Sequence, residues 1–272
     1  MIKYCLHLLI GLVALSGTAL ASDKALTSDK AKEQRWAEQI VDAIMVGEPE
    51  WLELQDHKIL GIYTEATTPT ASGGALVLHG SGVHPDWPDV IYPLRTQLPD
   101  HGWHTLAIQM PVLANEAEYD DYAPLFAEVA PRIEAGIKYL QDKGIQNIVI
   151  IAHSLGTTMS AHYLASSPNA AVRAFVAVGM PGQHAKAEAM NNLKSLEKIS
   201  LPLLDIYGSE DLESILKTAD QRASAAKRAG NTAYSQVEVP GANHFFNGQG
   251  DTLVKRVRGW LAKHAAGTEI QP

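Results

Sequence analysis

Apolar residues recur along this chain at two spacings, and the two spacings alternate. Between Ser28 and Val46, Trp36, Ile40 and Ile44 fall on one helical face with Lys, Glu and Gln opposite, which predicts an amphipathic helix. Trp51 to Gln55 and Ile59 to Thr64 read as a strand pair around Asp56-His57-Lys58. Short apolar runs then appear at "ALVLHG" (75–80), "HTLAIQMP" (104–111), Ile148 to His153, "AFVAVGMP" (174–181), "LPLLDIYG" (201–208) and "AYSQVEVPG" (233–241). Helical patterns over Pro88 to Leu98, Pro124 to Lys143, Gly156 to Ser166, Ala185 to Lys198, Leu212 to Ala229 and Asp251 to His264 separate or follow them. Apolar strands alternating with amphipathic helices predict an α/β architecture: a mostly parallel central sheet with helices on both faces.

The first residues stand outside that alternation. Lys3 precedes an apolar run from Leu6 to Leu15, and Ala19-Leu20-Ala21 supplies a small-x-small cleavage point, the layout of a secretory signal peptide. An uncleaved anchor is the other reading of the same residues. The organisation expected is a signal peptide at 1–21, a helical segment at 22–50 and one catalytic-type domain at 51–266, in a periplasmic or secreted protein starting at Ser22. Once cleaved, it would have no stable membrane insertion. Loss of Lys3 with the leader takes the formal net charge from −8 to −9. An acidic chain without a basic run is a poor match for nucleic acid. The single cysteine, Cys5, leaves with the leader, so neither a disulfide nor a thiolate nucleophile is expected.

Candidate chemistry begins at Ala152-His153-Ser154-Leu155-Gly156, a small-x-Ser-x-Gly turn between an apolar strand and a helix. Such an elbow lifts a serine hydroxyl above the carboxyl end of a sheet, although a serine at a strand-to-helix junction also serves as a plain N-cap. A nucleophilic serine needs a histidine to take its proton and an acid to orient that histidine. Both follow in order, each past a later strand: Asp211 lies 57 residues after Ser154, and His244 lies 33 after Asp211. Glu210 is the alternative acid, while Asp205 reads as a strand residue. The main-chain N–H of Leu155, opening the helix, is one candidate oxyanion donor. The glycine loop His79-Gly80-Ser81-Gly82 offers Ser81 N–H as the second, with Gly82 as alternative.

With elbow, glycine loop and acid-then-histidine order together, the chain resembles the α/β-hydrolase superfamily over about residues 50 to 265. "HGSGVHPDW…PLRTQLPDHGWHTLAIQMP" with "AHSLGT" is similar, more closely, to an uncharacterised family of exported bacterial α/β-hydrolase-like proteins. The resemblance implies an α/β-hydrolase fold and a Ser-His-acid mechanism; alanine replaces the first glycine of the usual elbow at Ala152. Only one helical stretch separates the strand after the elbow from the acid-bearing strand, so no large cap domain is expected. Eight histidines near the loops invite a metal reading, but none has H-E-x-x-H spacing, and no metal or other cofactor is expected. The function expected is an exported serine hydrolase, carboxylesterase- or thioesterase-like, acting on a small-molecule or acylated substrate. A catalytically idle binding or scaffold protein on the same fold is the rival class. Trp87, Tyr92, Trp103, Phe245 and Phe246 are candidate pocket aromatics.

Overall fold

A computed structural model describes residues 27–267; the expected signal peptide and its cleavage point lie outside them. Among the described residues, eight strands form one sheet: β1 Glu48–Glu53, β2 Lys58–Thr64, β3 Gly73–Leu78, β4 Trp103–Ile108, β5 Ile148–His153, β6 Val172–Val178, β7 Leu203–Glu210 and β8 Tyr234–Asn243. Their spatial order is β1-β2-β4-β3-β5-β6-β7-β8. β2 pairs antiparallel with β1 and β4, and every other neighbouring pair is parallel. This is the mostly parallel sheet expected from the alternation, in the α/β-hydrolase arrangement that the resemblance implies.

Alternate residues of the central strands feed two apolar layers, as a strand period of two requires. Leu76, Leu78, Ile148, Ile150 and Phe175 face a layer with α3 (Val129–Asp142) and α4 (Leu155–Ser166), represented by Ile133, Ile137, Met159 and Tyr163. Val77, Val149, Ile151, Val176 and Ile206 face the other, with α2 (Ile91–Gln97) and α8 (Gly250–His264) contributing Leu94, Leu253, Val257 and Leu261. Burial on both faces explains why these strands read as near-continuous apolar runs. The α1 helix (Lys30–Ala43) covers the antiparallel end, seating Ala37 and Ile40 on Leu60 and Ile62.

Three expected helices are shorter than their apolar periodicity. The 124–143 stretch begins inside a 3-10 helix, Tyr119–Glu128, and becomes α-helix only at Val129. Pro124 cannot donate the main-chain bond that an α-helix would ask of it, while Glu118 and Asp121 cap the tighter helix reciprocally. The 185–198 stretch reduces to a 3-10 turn, Glu188–Met190, and α5, Asn192–Leu196. Asn191 breaks it in extended conformation, capping α5 by accepting from Lys194 N–H and bridging to Gln183. The 212–229 stretch divides at Thr218 into α6 (Glu213–Leu216) and α7 (Ala219–Arg228), with the Thr218 hydroxyl donating back to the Ser214 carbonyl.

β3 pairs with β4 on one flank and with β5 on the other, so the connection leaving β3 runs one way along the sheet, the one leaving β5 runs the other way, and the order reverses between these two strands. In open α/β sheets the crevice at such a reversal is where ligands bind. The loop after β3 and the turn after β5 are therefore brought together at one end of the sheet.

Candidate active site

Ser154 occupies the turn from β5 to α4 with φ 53° and ψ −124°. Left-handed φ in a residue with a Cβ costs of order 1–3 kcal/mol and persists only where the surroundings hold it. They do so from two sides. Ser154 N–H donates to the Val178 carbonyl at 2.9 Å, and the Thr157 hydroxyl donates to the Ser154 carbonyl at 2.6 Å. The turn also needs close approach: a Cβ on Gly156 would lie 2.5 Å from the His79 carbonyl oxygen, and one on Gly80 would lie 3.0 Å from the Ser154 Cβ. Glycine at these two positions lets the loop after β3 press against the elbow.

His244, just beyond β8, presents Nε2 to Ser154 Oγ at 2.9 Å and Nδ1 to Asp211 Oδ1 at 2.7 Å. Asp211 is 6% exposed, and its carboxylate accepts two main-chain N–H groups, from Leu212 at 2.7 Å and Gly208 at 3.3 Å. Acceptance by a carboxylate fixes the proton on Nδ1 and leaves Nε2 as an acceptor for the serine hydroxyl. The structure thus brings Ser154, His244 and Asp211 into one hydrogen-bonded line. Glu210 stays outside it: this last residue of β7 is exposed and sits in register with Asn243. Asp205 is a strand residue and makes a buried ion pair with Arg222, sharing its carboxylate with Tyr234 and Gln236.

The glycine loop is held by His79. Its Nε2 accepts the Met110 N–H at 2.9 Å, so Nδ1 carries the proton and donates to the Gly80 carbonyl at 2.8 Å. Burial pushes this imidazole down to about 3, which keeps it neutral. Because a peptide unit is planar and trans, fixing the Gly80 carbonyl also fixes the direction of the Ser81 N–H on its far side. Leu155 is the first residue of α4, where the N–H has no acceptor within the helix. Gly82, the alternative donor, has φ 69° in the same turn.

These groups open into a cleft of about 260 Å³ shared by Ser81, Ser154 and His244. Val83, Pro181, Leu212, Ile215 and Phe245 form most of its wall, with Tyr119 and His184 paired edge-on at 5.1 Å between ring centres. Of the five candidate aromatics only Phe245 lines the cleft. Trp103 and Phe246 are buried in the layer under α2 and α8, with Trp87 packed against it, and Tyr92 lies on the surface with Arg95 over its ring. Tyr119 and His184 were not distinguishable in the sequence, since both lie just before the expected helices at 124–143 and 185–198, in connections to which periodicity assigned no conformation. Tyr119 is held by its hydroxyl, 2.9 Å from Thr158 Oγ1 on α4.

The sheet order, the strained elbow and the hydrogen-bonded line define a protein of the α/β-hydrolase fold. A family model described as "Protein of unknown function (DUF3530)" matches residues 4–130 and 124–263, and the chain belongs to that family. No curated protein matches the chain in sequence. Among solved structures the chain is similar to Est1E from Butyrivibrio proteoclasticus, at 14% identity and TM-score 0.63, covering 80% of this chain and 98% of that one. A dienelactone hydrolase from Anabaena variabilis is similar at 20% identity and TM-score 0.63, with the same coverage. An esterase from Pyrococcus furiosus is similar at 17% identity and TM-score 0.64, covering 81% of this chain and 93% of that one.

Proposed function

We propose that this protein is a serine hydrolase that cleaves carboxylic ester or thioester bonds through an acyl-enzyme. The observation that carries the reading is the continuous line Ser154 Oγ–His244 Nε2 and His244 Nδ1–Asp211 Oδ1, at 2.9 and 2.7 Å. In the proposed cycle Ser154 Oγ attacks the acyl carbon as its proton passes to His244 Nε2. Asp211 stabilises the imidazolium, and the N–H groups of Leu155 and Ser81 receive the oxyanion. Collapse returns the proton to the leaving alcohol or thiol, and water then releases the acid by the same steps in reverse order.

The cleft bears on substrate size. Its roughly 260 Å³ falls below the roughly 300–1,000 Å³ of sites that enclose drug-sized ligands, so a compact acyl group fits the reading best. Est1E has been solved with ferulic acid bound, which makes hydroxycinnamate esters a reasonable addition to short-chain esters in a substrate panel. A fluorophosphonate tests the mechanism before any substrate is known, because only an activated serine reacts with it. Purified protein should gain one adduct on Ser154, and p-nitrophenyl acetate or butyrate should be turned over faster than long-chain esters. Folded protein that stays unlabelled and inert on the panel would overturn the proposal.

The same reading places the enzyme outside the cytoplasm, on the charged, apolar and small-residue order of residues 1–21. Intact mass of the natively expressed protein should correspond to a chain beginning at Ser22. A membrane-bound form retaining the leader would make the segment an anchor instead.

A further inference from the structure

The residue before the nucleophile has a histidine side chain that the proposed cycle does not use. His153 is 2% exposed and follows Val149 and Ile151 on the strand face toward α2 and α8. Its Nε2 lies 3.0 Å from the main-chain carbonyl oxygen of His244, and its ring centre is 4.8 Å from that of His244. Its other nitrogen, Nδ1, is buried without a hydrogen-bond partner. We infer that His153 is a positioning residue: its Nε2–H clamps the carbonyl of His244 and so holds the general base over the Ser154 hydroxyl.

The direction of the bond follows from the partner. A carbonyl only accepts, so Nε2 carries the proton and Nδ1 is left as an acceptor facing no donor. An orphaned buried acceptor is a cost to the fold, and an apolar side chain of similar size would remove that one while leaving the His244 carbonyl without its donor. Leucine there would extend the layer of Val149, Ile151 and the buried Phe246. A histidine kept at that cost fits a role in the site rather than in the core. The other hydrogen bonds of His244 itself are made by its ring, to Asp211 and Ser154, while the turn around it is held by Asn243, which accepts from the N–H groups of Phe245 and Phe246. It lies past the end of the outermost strand in the order, β8, and Phe245 after it is exposed. The His153 bond is what ties the main chain of His244 to the same turn that carries the nucleophile. Burial pushes the His153 imidazole down to about 3, so the donor stays neutral and adds no positive charge beside the imidazolium formed in the cycle.

The inference rests on the hydrolase reading, and its test separates the two. His153→Leu, His153→Gln and wild type are compared for kcat and KM on a p-nitrophenyl ester, for fluorophosphonate labelling rate and for Tm. His153→Leu should lower kcat and labelling by about 10- to 100-fold, the scale of a catalytic group misplaced by about 1 Å. KM should stay within about twofold, since substrate binding is not what the bond controls. Tm should change little, because leucine removes the orphaned Nδ1 but leaves the His244 carbonyl without its donor, so the loss of kcat should far exceed what the change in Tm accounts for. His153→Gln, which offers an amide N–H toward the same carbonyl, should recover most of the lost kcat. If His153→Leu does not fold, His153→Phe keeps a ring without the donor and is judged on the same criteria. A folded donor-less variant retaining about half of wild-type kcat, or a loss that only tracks Tm, overturns the inference while labelled wild type leaves the hydrolase reading standing. Wild type that does not label removes both.

Discussion

Replacing Ser154 with alanine is expected to remove nearly all turnover, on the order of 10⁶-fold in kcat, the scale seen when a serine nucleophile is deleted from an intact triad. The hydroxyl is the atom that forms the acyl bond in the proposed cycle, so no neighbouring group substitutes for it; water would have to attack unaided. The substitution should be structurally mild. Alanine keeps the Cβ, and the contacts that hold the elbow are main-chain bonds to Val178 and from Thr157, which do not involve Oγ. A folded Ser154→Ala protein that retains a tenth of wild-type esterase activity would show that the nucleophile lies elsewhere.

The second large effect separates two adjacent acids. Asp211→Asn should reduce kcat by about 10⁴-fold, as the same change does in a well-studied triad. Asn keeps the size of Asp but can turn its NH₂ toward Nδ1. The imidazole then carries its proton on Nε2, where it cannot accept one from Ser154. Glu210→Gln should leave activity within a few-fold of wild type, because that side chain is exposed and outside the hydrogen-bonded line. Both variants are to be compared at matched Tm near neutral pH. A crippled Glu210→Gln beside an active Asp211→Asn would transfer the role, and two active variants would remove the triad from the mechanism.

The sequence carried the fold where two conditions coincided: apolar runs bounded by glycine, and helices whose period was not interrupted. That held for β3, β5, β6 and β7, and it was enough to place Ser154 at a strand-to-helix turn. It favoured Asp211 but left Glu210 as the alternative, because the two differ by one position and only the exit of the chain from β7 decides which faces His244. Nor did it reveal the cleft wall. Apolar periodicity over 185–198 survives in a segment that Asn191 divides, and the 3-10 run that carries Tyr119 starts before the α-periodic stretch expected from Pro124. Aromatic residues near the loops were a poor guide, since a ring contributes as much apolar surface to the layer under α8 as to a pocket. His153 was legible as part of the motif, but its bond to a carbonyl 91 positions later was not.

The placement of β8 at the far end of the sheet also governs when the proposed chemistry can begin. Ser154 and His244 are 90 positions apart, and β8 joins the sheet only through β7. Contacts of such long separation close late in folding, after local helices and neighbouring strands have formed. During synthesis at about 5–20 residues per second, the elbow emerges several seconds before its histidine. A nascent or unfolded chain therefore carries an inert serine, and esterase activity regained on refolding should trail the circular dichroism signal of the helices and sheet. In the proposed mechanism, catalysis is a clock that starts with the last strand.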